Sequence, residues 1–248
     1  MKKVINPQYL SMESELIEVL KGNYTPDLVF CKKRNVVEKV TVAGEEFVVK
    51  RYKRPLLINR IVYTFFRKSK ACRAYEFAMK LLEAGIDTPF PVAYAESGDG
   101  GLFCTGVFIS KYVPYKLLED VYDDSISCEE RSKILNDFID FLMSVHAKGI
   151  IPKDMNGSNI FYYKNEASGQ YNFALTDINR MVFNAKPTPK DVAFSFEQCF
   201  SELEKLIDLS RIYSAKIGTI PMDVLYQVLS FRFKRIKQVK FRNKFKKK

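Results

Sequence analysis

The sequence predicts an α+β fold in two lobes, a small β-rich lobe with one embedded helix followed by a reduced α-rich lobe. Strand-like runs crowd the first half, and helical periodicity fills most of the second. A single helical stretch, from about Lys70 to Ala84, interrupts the strands. The join falls near 111–116, so the expected lobes are residues 1–112 and 113–230, with a basic tail over 231–248.

Taken in order, Tyr9 to Lys21 carries helical periodicity through Leu10, Leu16, Ile17 and Leu20, and Gly22 stops it. Strand-like runs follow at Leu28–Lys32, Val36–Val42 and Glu46–Tyr52. Asn35 separates the first two, and Ala43-Gly44 turns the second into the third. A basic apolar stretch, Leu56–Phe66, leads into the embedded helix, which Gly85 ends. Pro89 and Pro91 open two more strands, Val92–Glu96 and Leu102–Tyr112, joined by SGDGG. Glu129–Lys148 reads as a long amphipathic helix with Ile134, Phe138, Phe141, Leu142 and Val145 along one side. Asn159–Tyr163 and Tyr171–Leu175 pair across the polar turn NEASGQ, and the chain from Lys190 onward is helical.

The 248 residues suffice to bury a core without staples. The five cysteines are dispersed with no C-x-x-C, and His146 is the one histidine, which excludes a zinc cluster and fits reduced thiols. MKKVINPQYL lacks an apolar signal core, and no run approaches the about 18 apolar residues of a spanning helix. The chain is therefore expected to stay where it is made. Of the net charge of +11, the tail FRFKRIKQVKFRNKFKKK supplies ten cations and no acid, so the rest is nearly neutral. Phenylalanines interleave with those cations, which favours an anionic membrane surface as the partner of Phe231–Lys248. The stretch Arg54–Lys70 has the same character. Nucleic acid is the less favoured partner, because no recognition motif accompanies the charge.

Phosphoryl transfer requires neutralised phosphates, a held metal ion, and an aspartate beside the attacking hydroxyl. VHAKGIIPKDMNGSNIFY, residues 145–162, resembles the catalytic loop of protein-kinase-like enzymes, H-x-x-G-I-x-H-R-D-x-x-x-x-N. His146, Gly149, Ile150, Asp154 and Asn159 fall in register without a gap. Asp154 is the candidate base and Asn159 a magnesium ligand. LTDINR places Asp177 where a metal-binding aspartate belongs, and FVVKRY places Lys50 on a strand as a phosphate clamp. Glu76, on the following helix, is its candidate partner, with Glu83 the alternative on the same helix. The bland readings are a polar turn for Asp154 and Asn159, a capping aspartate for Asp177 and a solvated strand lysine for Lys50. The order of all four favours the site. His146 is read as a buried brace of the loop and not as an acid or base.

FVVKRY, RAYEFAMKLLEAGIDTPFPVAY, KDMNGSNI and TDINRM together resemble the lipopolysaccharide core kinases, the heptose and Kdo kinases, over roughly residues 46–182. The resemblance implies a minimal bilobal protein-kinase-like fold and the use of ATP and Mg2+, with the nucleotide near Lys111–Pro114. It also implies a hydroxyl of a lipid-linked core oligosaccharide as acceptor, met on the cytoplasmic face of a bacterial inner membrane. Pro152 and Lys153 replace the His-Arg of the pattern, and Ile178-Asn179 replaces the usual Phe-Gly. No glycine-rich loop joins the first two strands; the turn reads CKKRN, which suggests that Lys32, Lys33 or Arg34 covers the phosphates by charge. Two rival readings stand beside this one: a kinase for another small-molecule or protein acceptor, and an inactive kinase-like binding module.

Overall fold

The computed structural model describes residues 1–32 and 35–246, with side chains as far as Phe241. Lys33 and Arg34, two of the three cations expected over the phosphates, lie outside the described residues. The chain divides into two compact units, Met1–Pro114 and Tyr115–Lys248.

The first unit contains strands β1 (Lys2–Ile5), β2 (Leu28–Lys32), β3 (Asn35–Val42), β4 (Glu45–Tyr52), β5 (Pro91–Asp99) and β6 (Leu102–Lys111). They form one antiparallel sheet in the order β1-β5-β6-β4-β3-β2. The turn from β3 to β4 is Ala43-Gly44, and both residues have positive φ, 47° and 84°. Such a two-residue turn follows the right-handed twist of its strands, and a left-handed alanine costs about 1 kcal/mol to hold there.

Helix α1 (Glu13–Lys21) packs Leu16, Val19 and Leu20 against Val40, Phe47, Val49, Val107 and Ile109 on one face of the sheet. Arg51 points to the same side and donates to the Val19 and Leu20 carbonyls in the last turn of α1, where the Gly22 amide also reaches Val19. The other face carries Tyr52, Tyr94 and Phe108 under Ala71 and Cys72 of the third helix, α3 (Lys70–Glu83). Alternation along β4 therefore puts Lys50 on the α3 face. Close approach of α3 depends on Gly106, where an added Cβ would lie 2.9 Å from the Ala71 Cβ. Between β4 and α3, the stretch read from sequence as merely basic and apolar is itself a helix, α2 (Leu57–Phe65).

The second unit begins with β7 (Lys116–Leu117) and the long helix α4 (Cys128–Ala147), capped by the Ser127 hydroxyl, which accepts from the Glu130 amide at 3.1 Å. After β8 (Ile151–Pro152), strands β9 (Ile160–Lys164) and β10 (Tyr171–Leu175) form the expected hairpin, with Leu175 opposite Ile160. The α4 stripe is core: Phe138 and Phe141 lie 5.4 and 5.5 Å from the Phe173 ring of β10. The strand β11 (Met181–Val182) precedes the helices α5 (Pro189–Cys199), α6 (Leu203–Ile217) and α7 (Pro221–Lys246).

The segment from Phe231, set apart in sequence as a tail, is continuous with helix starting at Pro221. Two of its cations are committed to the fold. Arg232 donates to the carbonyls of Glu197, Phe200 and Ser201 at the end of α5, and Arg235 lies 2.8 Å from the buried Glu197 carboxylate. Among the described residues no helix is long and apolar enough to cross a membrane.

Replacing Gly106 by alanine should lower unfolding free energy by about 1–3 kcal/mol, because the new methyl meets helix α3 with little room to yield. Urea denaturation measures it, and Ala71→Gly in the same chain should recover part of the loss.

Candidate active site

The site in the second unit is assembled by a short pairing. Pro152 lies opposite Met181 and Ile151 opposite Val182, and the Lys153 amide donates to the Arg180 carbonyl at 2.7 Å. The residue after this ladder on one strand is Lys153, followed by Asp154; just before its start on the other lies the segment of Asp177. The Thr176 amide donates to the Asn159 carbonyl at 2.9 Å, which ties the loop from the other side. Asp154, Asn159 and Asp177 consequently line one small pocket with Met155, Leu175 and Ile178. Sequence expectation placed these three together, and the structure brings them together.

Each side chain is oriented. Asn159 donates its Nδ2 to the Asp154 carbonyl at 3.2 Å, leaving its amide oxygen as the atom suited to a cation. Asp177 has a φ of 47°, a left-handed conformation that aspartate tolerates better than most residues but that still costs about 1 kcal/mol. Asn179 Nδ2 donates to Asp177 Oδ1 at 3.0 Å. The Asp154 carboxylate is 40% exposed, and Arg180 Nη1 stands 3.5 Å from it. A carboxylate and an amide oxygen are hard donors of the kind magnesium accepts alongside water and phosphate oxygens, so the pair fits that ion. Among the described residues no cluster of three or more His, Cys, Asp or Glu is grouped as a protein-only metal cage.

The loop is braced by residues that the sequence reading passed over. Asp191, at the start of α5, accepts from the Thr188 amide at 3.0 Å and hydroxyl at 2.7 Å, and from Lys153 Nζ at 3.1 Å. Burial works to raise its carboxyl, but these donors hold it below the ordinary aspartate range. The Thr188-x-x-Asp191 spacing of a capping box was the available signal. The Gln198 side chain accepts from the Met155 amide at 2.7 Å. His146 is buried as expected, yet neither ring nitrogen finds a hydrogen-bond partner, so it does not brace the loop by hydrogen bonding.

Beside Asp154 opens a larger pocket of about 530 Å3, lined by Arg180, Phe194, Phe231, Lys234 and Arg235 among others. Phe194 and Phe231 meet edge to face at 5.6 Å, with Lys153 over the first ring and Lys234 over the second. Its cations outnumber its acids, Asp154 and Glu197.

In the first unit, Lys50 sits at the centre of the sheet, opposite Val37 on β3 and Phe108 on β6, with its Nζ 5.8 Å from the Tyr52 ring centroid. Glu76 lies on α3 and its carboxylate is 2.5 Å from Lys68 Nζ. Lys32 ends β2 and is exposed.

A β-rich unit carrying a central strand lysine, and a helical unit carrying an Asp-Asn-Asp pocket, are the parts of a kinase. Residues 19–193 match the Lipopolysaccharide kinase (Kdo/WaaP) family, and the chain belongs to that family. It is accordingly a kinase. A solved structure described as "WaaP in complex with acyl carrier protein" shares the fold, with a TM-score of 0.59 over 96% of this chain and 99% of that one at 15% identity. No curated protein sequence matches.

Burial pushes the His146 imidazole below its ordinary range; Asp191 opposes this and Lys153 adds to it. The folded protein thus takes up a proton at His146 less readily than the unfolded chain, which protonates it below about pH 6.5. That contribution to stability is complete above about pH 6.5 and is lost as pH falls toward the depressed folded value. His146→Leu should flatten the decline in urea midpoint between about pH 7 and pH 5.5.

Proposed function

We propose that this kinase uses ATP and magnesium to phosphorylate a hydroxyl of a lipopolysaccharide inner-core sugar, a Kdo or a heptose, on the cytoplasmic face of the inner membrane. The observation that carries the reading is the convergence of Asp154, Asn159 and Asp177 on one pocket in a chain of the lipopolysaccharide kinase family.

In this reading Asp154 accepts the hydroxyl proton as the sugar oxygen attacks the γ-phosphorus, and the bond from that phosphorus to the bridging oxygen breaks to release ADP. Asn159 and Asp177 hold magnesium, which when bound neutralises charge on the phosphate oxygens. Lys50 clamps the α- and β-phosphates; Glu76, on the helix covering the same sheet face and paired with Lys68 in this structure, is the proposed residue that orients it. Arg180, 3.5 Å from Asp154, lines the neighbouring pocket with it and is proposed to orient the base.

The acceptor occupies the pocket of about 530 Å3 beside Asp154. Phe194 and Phe231 offer faces against which a sugar ring can lie, and Lys234 with Arg180 offers charge to its anionic groups. The cations of α7 past Arg235, among them Lys237 and Lys240, are exposed and are proposed to meet an anionic leaflet near the lipid-linked acceptor. Family membership favours an active enzyme over an inactive binding module.

Purified protein incubated with labelled ATP, magnesium and deacylated core oligosaccharide should label the sugar. Asp154→Asn should cut turnover by about 10^2–10^4 while ATP still binds, whereas Asp177→Asn should abolish the magnesium dependence of ATP binding. Label on no core sugar, with ATP binding intact, would refute the acceptor assignment.

Lys234→Glu tests the pocket separately. It should raise KM for the core acceptor about tenfold or more and leave KM for ATP unchanged, since the lysine makes a charge-assisted contact to the acceptor alone.

A further inference from the structure

Helix α2 is turned inside out. Its buried residue is Arg60, whose Nε and Nη2 donate to the carbonyls of Phe103 and Asp99, each at 2.8 Å. Thr64, one turn on, donates to the Arg60 carbonyl and accepts from the Phe103 amide, both at 2.8 Å. Tyr63 packs edge-on against Phe103 at 5.5 Å. The polar side of α2 is thereby fixed to the hairpin of β5 and β6.

The apolar side faces outward. Leu56, Leu57, Ile58, Phe65 and Phe66 are 76, 61, 69, 67 and 81% exposed, and Ile61 lies between them at 39%. At helical spacing Leu57, Ile58, Ile61 and Phe65 share one face, which Leu56 and Phe66 extend at its ends. A helix on a soluble surface ordinarily buries that face; one presented this way asks for a non-aqueous partner.

The flanks say which partner. From Lys53 to Tyr75 the chain holds no acidic residue, and Lys53 and Arg54 precede the helix while Arg67, Lys68 and Lys70 follow it. Arg54 and Lys68 are paired with Asp99 and Glu76 but remain 54 and 63% exposed, while Lys53 and Arg67 are exposed cations. An apolar strip with cations at both ends complements a layer that is apolar within and anionic at its surface. A second copy would bring the same cations together, which disfavours it.

We infer that α2 lies in the plane of an anionic lipid surface, its Leu57, Ile58, Phe65 and Phe66 side chains among the acyl chains and Lys53 and Arg67 against the headgroups. The inference rests on the first unit alone and does not depend on which sugar is phosphorylated.

The chain contains no tryptophan, so Phe66→Trp supplies a sole indole in the full-length protein. On phosphatidylcholine vesicles containing phosphatidylglycerol its emission should shift to shorter wavelength and be quenched by lipids brominated on the acyl chain. Pure phosphatidylcholine and raised salt should weaken both effects. Adding Ile58→Glu and Phe65→Glu should weaken vesicle binding about tenfold or more with the unfolding midpoint unchanged. Vesicle binding with the indole still in water would place the contact elsewhere and overturn the inference. So would a shift in lipid-free solution accompanied by dimer in sedimentation, a shift only with an acidic protein added, or no binding to any vesicle.

Discussion

Two strands of two residues each hold the candidate site of this protein in place. The pairing of Ile151-Pro152 with Met181-Val182, closed by the Lys153 amide on the Arg180 carbonyl, is the step that carries two loops distant in sequence to one pocket. A ladder this short has little stability of its own. It persists because its flanks are fixed: Lys153 reaches Asp191, Met155 is held by Gln198, and Thr176 is tied to Asn159. All those partners belong to the helical unit, and two of them sit on α5. The left-handed Asp177 and the partly exposed Asp154 sit within this frame of fixed contacts.

Helix α5 is in turn held from outside by α7. Glu197, almost fully buried, is lifted above the ordinary carboxyl range by burial and drawn back by Arg235 and Arg232. Arg232 also satisfies three carbonyls where α5 ends, groups that a helix terminus would otherwise leave unpaired. The end of α5 presses directly on the loop that carries Asp154 and Asn159: a Cβ on Gly157 would stand 2.9 Å from the Cys199 carbonyl. Charge at the C-terminal helix is thus coupled through α5 to the geometry at Asp154, and part of what composition presents as a basic tail is structural.

Much of this was legible in the sequence, for identifiable reasons. Lys50 could be placed on its strand because a strand forces alternation, so a lysine after Val48-Val49 must emerge on a defined face. Asp154 and Asn159 could be found because their spacing is local and polar between two apolar runs. Asp177 needed only the hairpin, whose apolar strands were clear. The supports were less legible. Asp191 looks like an ordinary capping residue, and nothing local reveals that Lys153 would join it. Glu197 and Arg232 meet across thirty-odd residues of intervening helix and turn, and their partnership exists only after α5, α6 and α7 have packed. His146 was read as a buried brace of the loop; its burial, which follows from helical periodicity, is found, while a hydrogen-bond partner, which depends on tertiary placement, is not.

The two basic, aromatic segments show the same limit from another side. By composition Arg54–Lys70 and Phe231–Lys248 are alike, and charge alone would assign them one role. Their burial separates them. In α7 the arginines turn inward, Arg232 and Arg235 to Glu197, and Phe231 packs on Phe194 in the wall of the pocket beside Asp154. In α2 an arginine also turns inward, but it displaces the apolar residues to the outside, where nothing in the first unit covers them. An arginine can anchor a helix by hydrogen bonds to carbonyls while leaving its hydrophobic face unspent. The side a helix offers to its surroundings is set by which residues its anchor consumes. That choice distinguishes a helix that completes a pocket from one that offers its apolar face outward.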